Sequence, residues 1–105
     1  MSYYRLDVYV PESHLEELKS ALFAAGAGHL GEYDCCCFQM PGTGQFRPSD
    51  SAKPFLGEAG RLEKVAEWKL EMIVSEKKLP AVLQALKTAH PYETPAFQYW
   101  KVGIE

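Results

Sequence analysis

Two groups of residues in this sequence carry side chains suited to chemistry. Cys35, Cys36 and Cys37 are consecutive, and the segment His90-Pro91-Tyr92-Glu93 holds an imidazole, a phenol and a carboxylate within four residues. Thiolates bind soft metals such as Cu(I) or Zn(II), whereas a histidine with a carboxylate suits a divalent metal ion. We therefore take His90, Glu93 and Cys36 as candidate metal ligands, with a divalent metal ion as the candidate cofactor.

The cysteine run also has a simpler interpretation. On a strand, alternation would send Cys36 to the face opposite Cys35 and Cys37, and the sequence has no Cys-x-x-Cys pair. Free cysteine packs as a small hydrophobe, so packing within a strand is the favoured prediction. Three adjacent cysteines also cannot form the disulfide framework of a small secreted domain, so we expect a reduced, cytoplasmic protein.

The remaining candidates each have an ordinary structural interpretation. His29 lies in the glycine-rich segment 26–31 and is predicted to be a turn residue. Gly42-Thr43-Gly44 resembles a phosphate cradle, but the Lys-Ser/Thr pair and the helix of a P-loop do not follow it. His90 is either an imidazolium favoured by a helix dipole or a capping residue before a proline turn. No nucleophile is placed near it, so an enzyme is the less favoured interpretation.

Composition limits the classes of protein to consider. The 105 residues suffice for one domain, spanning 1–105, with a core of its own. The net charge is −3, and the eleven lysines and arginines are scattered, which excludes the basic patch of a nucleic-acid binder. The sequence has no apolar run of the ~18 to 20 residues that a membrane span needs, and its N-terminus lacks the pattern of a secretory signal.

Hydrophobic periodicity predicts four strands and two helices in the order β-α-β, β-α-β. The strands are predicted at residues 3–10, 33–40, 62–74 and 97–102, and the helices at 11–25 and 79–89. Pro11 suits the first turn of the first helix, Ser13 and Glu16 suit a capping box, and Gly26 suits a left-handed helix end. Pro80 is tolerable only in the first turn of the second helix.

Residues 41–60 are predicted to form a long loop. Prolines and glycines are dense there, which leaves at most a short strand at residues 45–47. A connection longer than about 12 to 15 residues inside a compact domain is usually functional or disordered.

The element order is that of a ferredoxin-like α+β fold, a four-stranded antiparallel sheet with both helices on one face. Right-handed crossovers place the first and third strands in the centre of the sheet. The long loop, the start of the first helix and the His90 turn then share one end of the sheet. His29 lies at the other end.

Four stretches carry a resemblance to a known family: GAGHLGEYDCCCFQ, GTGQFRP, GEAGRLEKV and AHPYETPAF. They resemble the domain inserted in the longer, YqfO-type bacterial members of the Nif-three-like family. The resemblance implies a CutA-like or PII-like domain that is typically trimeric. The two halves that build the family's dinuclear metal centre have no counterpart in these residues. We therefore expect a stand-alone version of the insert, a non-catalytic regulatory or ligand-binding module.

The PII resemblance also implies a ligand site at the base of the loop between the second and third strands. We expect His90, Tyr92 and Glu93 as fixed contacts, with Arg47 and Thr43 supplied by the loop. An arginine with a histidine would suit a small anionic ligand, a carboxylate or a phosphate.

The resemblance implies association through the sheet face that the helices leave uncovered. Tyr3, Tyr9 and Ile73 are predicted to lie on that face, which is more apolar surface than a solvated face needs. A homotrimer is therefore expected. A scaffold for a separate protein partner is the remaining alternative.

Overall fold

The computed structural model describes residues 2–105 as a four-stranded antiparallel sheet with two helices packed on one face. The elements are β1 (Tyr3–Pro11), α1 (Leu15–Ala24), β2 (Phe38–Phe46), β3 (Glu63–Ser75), α2 (Leu79–Ala89) and β4 (Phe97–Val102). The strand order is β2-β3-β1-β4, and every neighbouring pair is antiparallel. This confirms the predicted ferredoxin-like fold with the first and third strands in the centre.

The core lies between the two central strands and the helices. Alternate residues of β1 and β3 face the helix layer, as the period-two pattern predicts, and helical periodicity supplies the opposing side chains. The fully buried members are Leu6, Val8, Val10, Leu18, Leu22, Leu70, Val74, Val82 and Leu86. Burial of each such side chain contributes roughly 1.5–3 kcal/mol. This layer makes the sheet a rigid support for the segments at its two ends.

The helix ends match the sequence in part. Gly26 follows α1 with a φ of 113°, and Pro80 is the second residue of α2, both as predicted. The capping box at Ser13 is wrong, because a 3-10 turn precedes α1 and the Ser13 hydroxyl contacts His14 Nδ1 at 2.9 Å. Pro11 is the last residue of β1 and not a helical residue. Within residues 2–105, the helices are too short and polar to cross a membrane.

The predicted second strand and long loop were displaced from their true positions. β2 begins at Phe38 rather than near residue 33, and it runs through Pro41 and Gly42 to Phe46. Since β2 is an edge strand paired only with β3, Pro41 can lack its N–H without breaking a central ladder. The loop between β2 and β3 therefore covers residues 47–62 instead of 41–60.

The cysteines lie in the crossover between α1 and β2, so their predicted strand alternation is wrong. Cys35 is exposed and has a φ of 54°, which no strand residue adopts. The Cys36 N–H donates to the Gly28 carbonyl at 2.9 Å, and the Gly28 N–H donates to the Ile73 carbonyl at 2.8 Å. Backbone hydrogen bonds through Gly28 thus attach this crossover to the central strand β3.

The β2–β3 pair extends beyond the rest of the sheet. Pairing of β1 with β3 ends at Pro11 and Glu67, whereas pairing of β2 with β3 continues to Phe46 and Glu63. We call this two-stranded extension, residues 43–46 and 63–66, the arm. The root of the arm, where the arm joins the rest of the sheet, lies beside the start of the helix layer and beside the segment that joins α2 to β4.

The sheet face away from the helices, here called the open face, carries a charged network at its centre. Arg5 contacts Asp7 at 2.9 Å and Glu71 at 2.6 Å, and Lys69 contacts Glu71 at 3.0 Å. Asp7 is only 5% exposed despite lying on this face. Large exposed apolar side chains surround the network on the same face: Phe38, Met40 and Trp100.

Candidate functional site

A cavity of about 280 Å³ lies at the root of the arm, where β1, the arm, the 47–62 loop and the 90–96 segment meet. Its lining residues are Tyr9, Gln45, Phe46, Pro48, Ala52, Pro54, Phe55, Leu56, Glu67, Tyr92, Glu93, Thr94 and Ala96. The predicted meeting of the long loop with the turn after α2 at one end of the sheet is therefore confirmed.

Three aromatic rings form much of the cavity wall. The Tyr92 ring centroid lies 6.1 Å from that of Phe46 and 6.3 Å from that of Phe55. Phe55 also meets the His14 ring edge-on at 5.4 Å, which brings the loop against the start of the helix layer. Phe55 remains 47% exposed even so. The wall is thus aromatic and still open to solvent on the loop side.

His90 holds the 90–96 segment to the sheet. Its Nδ1 accepts the Tyr92 N–H at 3.2 Å, so its Nε2 carries the proton and donates to the Tyr9 carbonyl at 2.6 Å. Burial lowers the pKa of His90 below the ordinary value of 6.5, although the bond to Tyr9 opposes this shift. The neutral imidazole is favoured, which argues against the imidazolium alternative, and His90 is the C-terminal capping residue of α2, as the other alternative predicts.

Tyr92 and Glu67 form the polar pair of the cavity. The Tyr92 hydroxyl donates to Glu67 Oε2 at 2.8 Å. Burial, together with this hydrogen bond to a carboxylate, raises the pKa of Tyr92 well above the ordinary value of 10. Tyr92 therefore stays protonated near neutral pH and acts as a fixed donor that orients the carboxylate.

Gly44 makes room for the Glu67 carboxylate. A Cβ at Gly44 would overlap Glu67 Oε1, whereas a Cβ at Gly42, two residues earlier on β2, would meet nothing within 4 Å. Gly44 does not have a positive φ, so backbone freedom does not explain the glycine. Its missing side chain lets Glu67 cross the arm and reach Tyr92.

The loop is attached to the cavity through backbone groups. The Lys53 N–H donates to Glu93 Oε1 at 2.9 Å, although the two residues are forty positions apart in sequence. The Gly60 N–H donates to the carbonyl of Pro48 at 2.8 Å and closes the base of the loop. The loop is thereby ordered across the cavity mouth.

The charge in the cavity is negative. Glu67 and Glu93 are lining residues, and within residues 2–105 no lysine or arginine side chain joins them there. Lys53 offers only its backbone N–H to Glu93. The nearby cations on the open face, Arg5 and Lys69, are paired with Asp7 and Glu71.

The structure brings together only part of the predicted ligand site. Tyr92 and Glu93 line the cavity, while His90 lies behind them with both ring nitrogens engaged. Thr43 lines a neighbouring groove along β2, with Trp68 and Lys69, and Arg47 is exposed outside the cavity lining. The arginine–histidine pair required by the anionic-ligand hypothesis is therefore not assembled in this structure.

The predicted metal ligands do not converge either. Cys36 lies in the crossover at the opposite end of the sheet, in a hollow with Gly28 and Phe38, far in the fold from His90 and Glu93. In the described part of the chain, no three His, Cys, Asp or Glu side chains are grouped so that they could hold a metal ion.

Sequence reasoning missed several residues that shape the cavity. Glu67 was not singled out, because on a strand its alternation alone predicts a solvated position. Phe46 and Phe55 lie in the stretch predicted as one long loop. The available signal was the pair of aromatic residues flanking a proline-rich segment, since exposed aromatic residues on loops often mark binding surfaces.

No protein-family model matches the sequence. Over 104 residues the chain is 43% identical to a protein of Halalkalibacterium halodurans named GTP cyclohydrolase 1 type 2 homolog. That alignment covers 99% of this chain but only 28% of the relative. The chain thus spans little more than a quarter of the length of the relative it matches.

Comparison with solved structures also matches this chain to one part of a longer protein. A Bacillus cereus protein related to NIF3 superposes with a TM-score of 0.81 at 39% identity, over 96% of this chain and 26% of that one. CutA from Xylella fastidiosa superposes with a TM-score of 0.71 at 18% identity, over 100% and 88%. The likeness to CutA, and a similar one to Bacillus subtilis GlnK, shows the fold alone. The chain is a relative of one segment of the Nif-three-like proteins, and it has the ferredoxin-like fold that CutA and GlnK share.

Proposed function

We propose that this chain is a non-catalytic, oligomeric module that binds a small ligand in the cavity at the root of the arm. The observation that carries the proposal is the convergence there of four separate parts of the chain around one concave, largely aromatic wall. Ligand sites in proteins are typically concave and mostly apolar, with a few placed polar groups. Here Glu67, Tyr92 and Glu93 supply those groups.

The exposed apolar residues of the loop support ligand binding. Phe55 and Leu56 are 47% and 37% exposed, yet both line the cavity. Side chains of this kind lose contact with water when a ligand fills the space between them. The loop hydrogen bond from Lys53 to Glu93 keeps this wall in place before a ligand arrives.

The two groups best suited to proton transfer support a role without catalysis. Both ring nitrogens of His90 are bonded to backbone groups, and the Tyr92 hydroxyl is bonded to Glu67. A general base needs a free lone pair within reach of the substrate proton. The activity suggested by the relative's name belongs to a much longer protein, and it is not part of this proposal.

The open face supports assembly into a homotrimer. Phe38 is 61% and Trp100 44% exposed, and they flank the charged network around the nearly buried Asp7. Large exposed apolar side chains are typical of an interface, and here they surround charged residues that already pair with one another. The CutA-like and PII-like resemblance implies three copies.

A thermal-shift panel tests the ligand-binding proposal. It should contain small carboxylates, phosphates, amines, nucleotides and divalent metal ions, because a ligand at a hundred times its Kd adds about 2.7 kcal/mol of stability. We expect an organic compound to raise Tm, and Phe55→Ala to remove the effect. If only metal ions act, and Cys36→Ser removes their effect, the chain is a metal-binding protein. If no compound of the panel raises Tm and a stable protein complex is recovered instead, a scaffold would be favoured.

Light scattering tests the trimer. The wild-type chain, of 11.8 kDa, should give three times its own mass, and Phe38→Lys should reduce that mass to one chain. Ala81→Lys is the matched control, since it adds the same charge on an exposed position of α2 in the helix layer. A wild-type monomer at micromolar concentration would contradict the trimer and leave the ligand site untouched.

A further inference from the structure

We propose that the ligand of this cavity is a small organic cation, an alkylated ammonium such as a trimethylammonium compound. The inference rests on the proposed ligand-binding function and specifies its chemistry. Two independent features of the described lining carry it: two carboxylates with no lysine or arginine among the lining residues, and three aromatic rings in the same wall.

The charge argument begins with the two carboxylates. Glu67 receives one hydrogen bond from the neutral Tyr92 hydroxyl, and Glu93 receives one from the Lys53 backbone. Neither partner brings a positive charge, and no lysine or arginine is among the described lining residues to offset these two carboxylates beside the apolar space. An anionic ligand would be repelled there, and a cation would be attracted more strongly than in bulk water because part of its surroundings is apolar.

The aromatic argument explains why the cation should be alkylated. Tyr92, Phe46 and Phe55 all line the cavity, and the ring centroids of Phe46 and Phe55 lie 6.1 and 6.3 Å from that of Tyr92, with the ring planes tilted by 53° and 46°. The faces of aromatic rings attract cations within about 6 Å, and this geometry suits quaternary ammonium groups, whose methyl groups also gain from apolar contact. A bare ammonium or a metal ion would lose its hydration shell without enough oxygen ligands to replace it.

The cavity also has the right size for such a ligand. Its volume of about 280 Å³ is far above the roughly 10–15 Å³ that a single water molecule needs, so it can hold a small organic ligand. A trimethylammonium headgroup with a short polar tail is of a suitable size, and Gln45 and Thr94 in the lining offer polar side chains to the tail.

Three matched probes test the inference on the wild-type chain. Choline carries the cation, 3,3-dimethylbutan-1-ol has the same shape without charge, and 3,3-dimethylbutanoate carries a negative charge instead. Affinities are read from two-dimensional amide NMR titrations that follow the Phe55, Tyr92 and Glu93 signals. We expect choline to bind at least about ten-fold more tightly than the neutral probe, and the anion to bind most weakly.

Two test substitutions and one control substitution separate the effect of charge from that of shape. Glu67→Gln keeps an acceptor for Tyr92 but removes the charge, so it should weaken choline by about ten-fold and leave the neutral probe unchanged. Glu76→Gln removes the same charge from an exposed position at the opposite end of the sheet, and it should change neither affinity. Phe55→Leu keeps apolar bulk without an aromatic face, so it should weaken choline more than the neutral probe.

The possible outcomes distinguish this inference from the proposed ligand-binding function on which it rests. Equal affinity for choline and the neutral probe, or tighter binding of the anion, would overturn the cation and leave the cavity as the ligand site. The cation is equally overturned if choline moves signals only outside the cavity while another compound of the panel binds inside it. If no compound of the panel moves the cavity signals, both proposals fail together.

Discussion

The two ends of the sheet differ in a way that residue types alone do not reveal. The end that contains the α1–β2 crossover holds His29 and all three cysteines, the residues most often associated with chemistry. His29 and Cys35 are exposed there, however, and Cys37 packs against the hydrophobic core. The end at the root of the arm holds mainly aromatic and proline residues with two glutamates, and it encloses the cavity.

The two ends differ in which groups of the chain make the contacts that hold them together. In the crossover, backbone hydrogen bonds through Gly28 fasten the chain to β3, and Ala27 and Cys37 pack with the hydrophobic core. At the arm, side chains join distant segments, as in the bonds from Tyr92 to Glu67 and from Lys53 to Glu93. A crossover built from backbone contacts serves stability, whereas side chains gathered around a space can recognise a ligand. Substitutions at the two ends should separate these roles.

The largest effect should come from Gly28→Ala in the crossover. Gly28 has a φ of 81°, and an added Cβ would lie 2.8 Å from the Cys36 carbonyl oxygen, a backbone atom that cannot move freely. Strain and overpacking together should cost about 3 kcal/mol of unfolding free energy, measured by denaturant titration. Gly31→Ala is the control, because φ is 59° but nothing lies within 4 Å, and strain alone should cost about 1 kcal/mol. Equal losses of unfolding free energy in Gly28→Ala and Gly31→Ala would contradict an effect of the contact with the Cys36 carbonyl.

The next effect should come from His90→Gln, which disturbs the attachment of the 90–96 segment to β1. The substitution weakens two hydrogen bonds in a buried position, and leaving a buried partner unpaired costs about 1–3 kcal/mol. We expect a loss of about 2 kcal/mol near pH 7.5, together with shifted amide signals for Tyr9 and Tyr92. An unchanged stability would contradict the tethering role.

His90 should also make stability depend on pH. Burial lowers its pKa in the folded chain, so below about pH 6.5 the unfolded chain binds the proton more readily. This contribution is therefore fully present above pH 6.5 and is lost as the pH falls through the folded pKa. The wild type should lose stability between pH 7 and 5 with a steeper slope than His90→Gln. Parallel curves would show that His90 does not titrate with folding.

A smaller effect is expected for Gly44→Ala at the cavity. The added methyl group would displace the Glu67 carboxylate and break the hydrogen bond from Tyr92, at a cost of about 1 kcal/mol because the pair is partly solvated. The pKa of Tyr92, followed by NMR of labelled tyrosine rings, should fall toward its ordinary value. Gly42→Ala is the matched control on the same strand and should change neither quantity. An unaltered Tyr92 in Gly44→Ala would contradict the role assigned to that glycine.

The sequence predicted the fold well because the fold depends on periodic patterns. The alternation in β1 and β3 and the helical spacing of Leu18, Leu22, Val82 and Leu86 define two packed layers, and the element order then fixes the topology. The PII-like resemblance directed attention to the end of the sheet where the cavity lies, and Tyr92 and Glu93, two of its lining residues, followed from it.

The errors arose where edge strands and long-range contacts decide the structure. An apolar run that contained three cysteines suggested a strand, but a strand tolerates Pro41 only because β2 is at an edge, which no local pattern reveals. The partners of His90 are a backbone carbonyl 81 positions away and an amide two positions away, so its engagement could not be predicted from neighbouring residues. Glu67 reaches Tyr92 only because Gly44 has no side chain.

The smallest effect on stability is expected for Glu93→Ala. This substitution should affect the 47–62 loop alone, so it tests whether the two ends of the sheet behave independently. The substitution removes the acceptor for the Lys53 N–H, an exposed hydrogen bond whose net contribution is about 0.5–1 kcal/mol. Amide exchange at Lys53 and Phe55 should become faster, while exchange in the Gly28 crossover stays the same. Glu58→Ala, which removes a loop carboxylate whose ion pair with Arg61 is exposed, should leave exchange unaltered. Faster exchange at both ends of the sheet would mean that the loop and the core open together, and that the cavity wall is not an independently ordered part of the fold.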